Sequence, residues 1–410
     1  MKRKKTLLVI GAGLEQSIAI SIAQKMGLRV IAVDGNKKAV GLKIADTGIY
    51  CDIRNERKLE EIAKKYNVSG VVTHAVEISE VVAKLAKNLG LPGLDPKIAN
   101  LATNKLLRAR VFKKNSIAYP KFGSAKTTTQ ARVKAKKIGY PVVIKPVDNS
   151  AARGVKKIFN DSELIKSFKE TLNYSKSKTI LIEEFLDGHQ ISTESFVYKE
   201  KIITTGFADR NYSRLKEFEP YFIEDGHTIP SVLLKKLQNK VIREVEKAIK
   251  ALGINWGAAK SDVLICNDKI YILEMAARTS GGWFATGTVP IATGVNILKP
   301  LIKLSIGKMP SLNDFKTTKG SFACQRYIIP TESGFFDKII GIERAKKMPG
   351  VRMLDIFNLP KKGTFIYKAR NHADRIGHII AEGKTKEDAY IKCSNAINQI
   401  SLNLKQSAIK

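Results

Sequence analysis

Apolar and polar positions follow two rhythms along the first ninety residues of the chain. Short apolar runs, TLLVIGAG at 6–13, RVIAVD at 29–34 and GVVTHA at 70–75, read as strands. Between them SIAISIAQKMG (17–27), KLEEIAKKYN (58–67) and EVVAKLAKNLG (80–90) carry the spacing of amphipathic helices. Apolar strands alternating with helices predict a parallel sheet covered on both faces, a Rossmann-like unit. Gly11-Ala12-Gly13 closes the first strand, but a dinucleotide fingerprint wants a further glycine where Gln16 stands. A G-x-G turn serves any parallel sheet, so NAD binding is not expected. Asp34 is expected to bond the GNKKA turn that follows it.

The rhythm changes after residue 103. NKLLRARVFKKN (104–115) and TTQARVKAKKIG (128–139) read as helices, and YPVVIKPVDNSAARGVKKIF (140–159) as strand, loop and strand. A helix at 161–171 precedes the strand TILIEEFL (179–186), and ISTESFVYKE (191–200) with KIITTGFADR (201–210) predicts an antiparallel pair. Helix 231–252 leads to NWGAAKSDVLICNDKIYILEMAARTSGG (255–282), two strands joined at Asn267-Asp268. A final unit, about 320–405, has strands near SFACQRYIIP and GHIIAEG and ends in the helix KEDAYIKCSNAINQI. The fold class is α/β and α+β, with boundaries near 95 and 315.

Composition narrows the possibilities. With 410 residues, 44% of them hydrophobic and 27% charged, the chain can bury several cores, which excludes wholesale disorder. Four scattered cysteines (Cys51, Cys266, Cys324, Cys393) exclude a disulfide framework and are expected to be small buried hydrophobes. The start MKRKKTLLVIGAG has a basic lead, but its apolar run soon meets Gly11 and Gly13. No stretch approaches the roughly 18 apolar residues of a membrane span, so a cytoplasmic protein with no membrane partner is expected. Lys+Arg number 71 against 38 Asp+Glu, a formal net charge of +33. The lysines are spread from end to end on presumed outer helix faces, without zinc-finger spacing or an RRM aromatic pair, so no specific nucleic acid is expected as a partner.

Three segments carry candidate chemistry. In 255–282, Lys260 and Asp262 share one strand face, and a hairpin can set Asp262 opposite Glu274. Two such carboxylates suit Mg2+, or they form a pair salt-bridged to Lys260 or Arg278. In VVIKPVDNSAARGV, Lys145 ends an apolar strand where a solubilising lysine is out of place. The loop 148–154 after it either covers phosphates with backbone N–H groups or is a plain turn. In ILIEEFLDGHQIS, Glu183 and Glu184 followed by Phe185 and Leu186 make either an adenine-binding strip or an exposed strand edge. Segment 206–228, with Arg210 and Arg214 among aromatics, lines an acceptor pocket or is a surface excursion, and Ser280-Gly281-Gly282-Trp283 is a candidate floor. The five histidines show no ligand spacing, although His74 ends a parallel strand at the edge of a probable cleft.

Taken in order, these segments resemble an ATP-grasp enzyme, of the branch that holds biotin carboxylase, the purine-biosynthetic carboxylate ligases and the amino-acid ligases. The resemblance spans the chain and implies three parts. Residues 1–95 are a Rossmann-like preATP-grasp domain, 96–315 the ATP-grasp domain with its lid, and 316–410 a small carboxylase-like α+β domain. It implies that Lys105 and Lys145 contact nucleotide, that Glu183, Glu184, Phe185 and Leu186 hold adenine, and that Gln190 reaches ribose. It further implies Asp262 and Glu274 as ligands of Mg2+ (or Mn2+) and Arg278, with Lys145, as catalytic residues. The implied reaction is ATP-dependent activation of a small carboxylate, an amino acid in the main reading, as an acylphosphate. An amine then captures it, releasing ADP and phosphate. Activation of bicarbonate for a purine precursor or biotin-type acceptor is the alternative, as is an ATP-binding protein without turnover. The carboxylase-like architecture is compatible with a homodimer. Three positions depart from the family pattern: Ala276 replaces a frequent asparagine ligand, Lys260 a frequent histidine, and the phosphate loop keeps only Gly154 of its glycines.

Overall fold

The structure is a computed structural model and describes residues 4–407, so the first three residues of the basic start lie outside it. The expected parallel sheet is present, in the order Thr47–Tyr50, Arg29–Asp34, Thr6–Ile10, Gly70–Val72. Both faces are covered because successive side chains point to opposite sides. Leu7, Val9 and Val30 pack on Ile20 and Ala23 of helix Leu14–Lys25, while Leu8, Ile10 and Ile31 pack on Leu59, Ile62 and Leu85. Strand Thr47–Tyr50 escapes a sequence reading because it is short and half exposed. So does helix Pro96–Thr103, although Asp95 caps it by accepting from the Lys97 N–H at 2.7 Å.

An antiparallel sheet follows, ordered Phe122–Ala125, Ile180–Glu184, Val142–Pro146, Lys156–Ile158. Helices Thr128–Ile138 and Asp161–Asn173 pack through Ala131, Ala135, Leu164 and Phe168 on the face that carries Ile144, Ile158 and Ile182. The alternate positions, Val143, Lys145 and Glu183, line the cavity.

The third sheet has eight strands, and every neighbouring pair is antiparallel. Its order is Lys269–Ala276, Trp256–Cys266, His189–Tyr198, Lys201–Asn211, Gly226–Ile229, Phe322–Ile328, Gly377–Gly383, Val351–Ile356. Helix Lys235–Leu252 backs one end through Val241, Val245 and Ile249 against Val263, Ile272 and Met275. Asn267 and Asp268 take left-handed φ of 48° and 58°, as a tight two-residue hairpin requires.

Two features qualify the division expected from sequence. The large sheet runs across the boundary near 315, since Phe322–Ile328 covers the strand edge that Gly226–Ile229 would otherwise expose. Helix Leu298–Ser305, expected within the grasp, packs Leu298 and Ile302 on the first sheet. A Cβ on Gly70 would stand 2.5 Å from the Ser305 carbonyl. Among the cysteines, Cys51, Cys324 and Cys393 are buried, whereas Cys266 at the hairpin turn is partly exposed, contrary to expectation. Among the described residues no helix is long and apolar enough to cross a membrane.

Candidate active site

The sheets and the loops after the parallel strands enclose a cavity of about 490 Å³. One end is built around lysines. Lys105 opens a helix capped by Asn104 and bonds the carbonyl of Asn149 in the 148–154 loop. Burial depresses its pKa to about 8, reinforced by Arg108 and Lys145 and opposed by Glu274 and Glu77. Lys145 pairs with Glu183 at 2.5 Å, and Glu183 also accepts from the Tyr119 hydroxyl. The loop is pinned at its start. Asp148 accepts from the Ser177 N–H at 2.8 Å, and Asn149 donates to the Tyr174 carbonyl at 2.8 Å. Beyond them Ala151 and Ala152 hold positive φ of 57° and 56°, strained for residues with a Cβ. Glu184, Phe185, Leu186 and Gln190 also line the cavity, with the Lys157 ammonium 4.2 Å from the centre of the Phe185 ring.

The hairpin sets Asp262 opposite Glu274 in register. Their surroundings differ. Asp262, only 6% exposed, accepts from Ser192 at 2.8 Å through one oxygen, and through the other meets both Lys260 and Arg210, the latter at 3.0 Å. Glu274 is 29% exposed and has Lys260 at 3.6 Å. Lys260 holds the Glu274 carboxyl well below the ordinary range, against burial and with help from Lys105, Arg108 and Arg278. Asp262 is thus engaged by two cations and a hydroxyl, and Glu274 is the carboxylate with the freer acceptor capacity. Ala276 adds no donor, and among the described residues no three His, Cys, Asp or Glu side chains group to hold a metal ion. The residues fit a Mg2+ held by Glu274 and otherwise by phosphate oxygens and water, the usual division for this ion.

Arg278 follows the hairpin and points to a residue that sequence reading passes over. Glu77, beyond strand Gly70–Val72, accepts from Arg278 Nε at 2.9 Å and Nη2 at 2.7 Å. It stands outside the carboxyl end of a parallel strand, where open α/β sheets place ligand crevices. His74 is 1% exposed and does not line the cavity; its Nδ1 meets the Thr279 hydroxyl at 2.7 Å. Glu15, 3.3 Å from His74 Nε2, accepts from the N–H groups of Gly282 at 3.1 Å and Trp283 at 2.9 Å. The first unit thus fastens the loop that carries Arg278 and the expected floor residues, which do line the cavity. Asp34 serves its turn, accepting from Ala12 at 2.6 Å and Asn36 at 2.7 Å.

The other end of the cavity is aromatic. Trp283, Phe284, Tyr327 and Phe357 line it, with Trp283 and Phe357 stacked at 5.1 Å. Glu224 bridges Arg210 at 3.1 Å and Arg375 at 3.4 Å, and the Arg375 guanidinium lies 3.6 Å from the Tyr327 ring centre. Burial would raise the Glu224 carboxyl, but the two guanidiniums hold it far below its ordinary range. Arg214, expected beside Arg210, instead pairs with Glu217 at 2.7 Å and does not line the cavity.

Comparison with known proteins gives concordant matches. Residues 138–287 match the ATP-grasp domain family, and residues 326–405 match L-amino acid ligase C-terminal domain 2. The formate-dependent phosphoribosylglycinamide formyltransferase of Sulfurisphaera tokodaii is 23% identical over 404 residues, covering 97% of this chain and 96% of that protein. The L-amino acid ligase of Bacillus licheniformis superposes with a TM-score of 0.84 at 21% identity, covering 99% of this chain and 100% of that one. The biotin carboxylase domain of the Hydrogenobacter thermophilus 2-oxoglutarate carboxylase, solved with MgADP and bicarbonate, has a TM-score of 0.74 at 18% identity, covering 98% of this chain and 92% of that one.

Proposed function

This chain belongs to the ATP-grasp superfamily, with carboxylate-amine ligase and biotin-carboxylase relatives, and from that premise we propose that it ligates a small carboxylate to an amine. Either chemistry belongs to an ATP-grasp-fold enzyme that couples ATP hydrolysis to a new bond on a carboxylate/amine or carboxylation substrate. The observation that carries the finer reading is the aromatic end of the cavity, lined by Trp283, Phe284, Tyr327 and Phe357. Such walls suit an activated carboxylate that carries a side chain, as an amino acid does, whereas in the bicarbonate reading only the acceptor could use them. The similarity of residues 326–405 to an L-amino acid ligase domain agrees with it.

In this reading Glu184, Phe185 and Leu186 flank adenine, Glu183 serves there as the partner of Lys145 rather than on the base, Gln190 approaches ribose, and Lys105 with Lys145 neutralises the phosphates. Mg2+ held by Glu274 would add positive charge at the phosphate oxygens. The substrate carboxylate, oriented by the arginine-rich wall, attacks the terminal phosphorus; the bond to ADP breaks and an acylphosphate forms. Arg278, held by Glu77, offsets charge that builds on the transferred group. The amine then attacks the acyl carbon, the carbon–oxygen bond to phosphate breaks, and an amide remains. The 148–154 loop keeps water from the acylphosphate.

A second reading, activation of bicarbonate for an amine acceptor, is favoured by the structural likeness to the biotin carboxylase domain. ADP release measured over amino acids and other small carboxylates, each paired with an amine and compared with bicarbonate, tests the choice. Ligation predicts turnover in bicarbonate-free buffer with one carboxylate–amine pair, and strict bicarbonate dependence replaces it with the second reading.

A further inference from the structure

The large sheet buries a carboxylate that the phosphoryl transfer does not use. Glu194 lies in mid-strand within His189–Tyr198, opposite Lys260 on one side and Gly206 on the other. It is wholly buried. One oxygen accepts from the Ser280 backbone N–H at 2.7 Å. The other oxygen has no hydrogen-bond partner, and neither has the Ser280 hydroxyl, itself buried. Half-satisfied carboxyl groups are rare in protein interiors because a missing bond leaves the desolvation of that oxygen uncompensated. A purely structural role for this position would be served as well by glutamine or an apolar residue.

Its place suggests why a titratable group is kept. Ser280 follows Arg278 by two residues and lines the cavity beside Gly281 and Gly282. The charged groups facing Glu194 are Lys260 from the adjacent strand and Arg278 from the loop. Burial pushes its pKa up to about 7, offset in part by the Ser280 N–H, the nearby Ser280 hydroxyl and those two cations. Ligation has a proton to place at this point in the reaction. An amine arrives near neutral pH as an ammonium ion, with no lone pair to attack the acylphosphate.

Resting on the ligase reading above, we propose that Glu194 accepts the proton of the incoming ammonium through the Ser280 hydroxyl. The nitrogen lone pair freed in this way attacks the acyl carbon. The bond from that carbon to the phosphate oxygen breaks, and the second amine proton leaves with inorganic phosphate. Glu194 afterwards returns its proton to water. Glu194 here is a proton acceptor that works through Ser280, without itself touching substrate.

Hydroxylamine separates this role from a structural one, because it is already uncharged at neutral pH and captures acylphosphates as hydroxamates without a base. Wild type, Glu194→Gln and Ser280→Ala would be assayed with the same L-amino acid as carboxylate, once with hydroxylamine and once with a second amino acid as the amine. Thermal melting checks that each variant is folded, and Ser280→Ala keeps the backbone bond to Glu194. The expected result for Glu194→Gln at pH 7 is amide formation slowed by about 10²-fold or more, with hydroxamate formation within about threefold of wild type. Its amide rate should then climb with pH as the free-base fraction of the amine grows, and Ser280→Ala should shift in the same direction by a smaller factor. Equal losses in both assays, or amide formation by Glu194→Gln at the wild-type rate and pH profile, overturn the assignment alone. A wild-type protein that turns over only with bicarbonate and forms no hydroxamate overturns the ligase reading and this assignment with it.

Discussion

The two ends of the cavity are built differently. The lysine end, which the proposed reading gives to the phosphates, takes Lys105, Lys145, Glu183 and the 148–154 loop from about eighty residues of consecutive chain, with Glu274 added by one hairpin. The aromatic end draws on the first unit, the middle of the large sheet and the C-terminal strands. Arg210, Glu224, Tyr327 and Arg375 meet there because the sheet runs across the expected domain boundary, while Glu15 and Glu77 of the first unit hold the loop that joins the two ends. A compact stretch of chain suits a nucleotide, whose form does not vary. Contributions from several units let substrate choice change without disturbing the phosphates.

Substitutions that separate the ends sharpen this contrast. The largest effect is expected at the phosphate end: Glu274→Ala and Lys145→Ala should each reduce ADP release by about 10³-fold with every acceptor tried. Because losing Lys145 leaves Glu183 buried with only Tyr119, the double variant Lys145→Met/Glu183→Gln is the control whose melting temperature should stay near wild type. Next comes the joint between the ends. Glu77→Gln should lower kcat by about 10²-fold with ATP KM nearly unchanged, since it loosens Arg278 without touching nucleotide.

At the aromatic end, Arg375→Met should raise the carboxylate KM about tenfold while ATP binding, followed by calorimetry, is preserved. It also leaves Glu224 with one fewer partner, which affects stability against acid. Glu224 has a folded-state pKa below its unfolded one, so its contribution is full above the ordinary glutamate pKa and is lost as pH falls through that range towards the folded value. Melting temperature should therefore fall less on acidification in Glu224→Gln than in wild type, and parallel curves for the two proteins would refute that account. The smallest effect concerns Lys105. Its pKa of about 8 means that its charge drains away as pH rises past that value, so ATP KM should rise a few-fold between neutral pH and pH 9. Lys105→Met should bind ATP weakly at all pH values, with the slope removed.

The same contrast decides what was legible in the sequence. Strand-ending Lys145, the hairpin at Asn267-Asp268 and the alternation that puts Asp262 opposite Glu274 are local regularities, and period and turn chemistry report them. Glu77 looks like one more solvated helix-proximal glutamate until Arg278 arrives from about two hundred residues away. Arg375 reads likewise as a loop cation until Glu224 and Tyr327 are beside it. His74, whose lack of ligand spacing reads as a structural role, is held by Glu15 and Thr279 and does not line the cavity. Arg210 and Arg214, four residues apart, could not be told apart until the turn at 212–215 sent one inward and the other to Glu217. The helix Leu298–Ser305 shows the same limit in the fold, because amphipathicity announces an apolar face and leaves its partner unnamed.

One measurement bears most directly on the central claim that this enzyme joins an organic carboxylate to an amine. Purified protein with ATP and Mg2+ in bicarbonate-depleted buffer would be given pairs of amino acids, with ADP, phosphate and the organic product quantified together. The account predicts an amide formed in equal amount with ADP and phosphate for at least one pair, unaffected by added bicarbonate. Turnover that appears only when bicarbonate is restored, with a carboxylated amine as product, would contradict it.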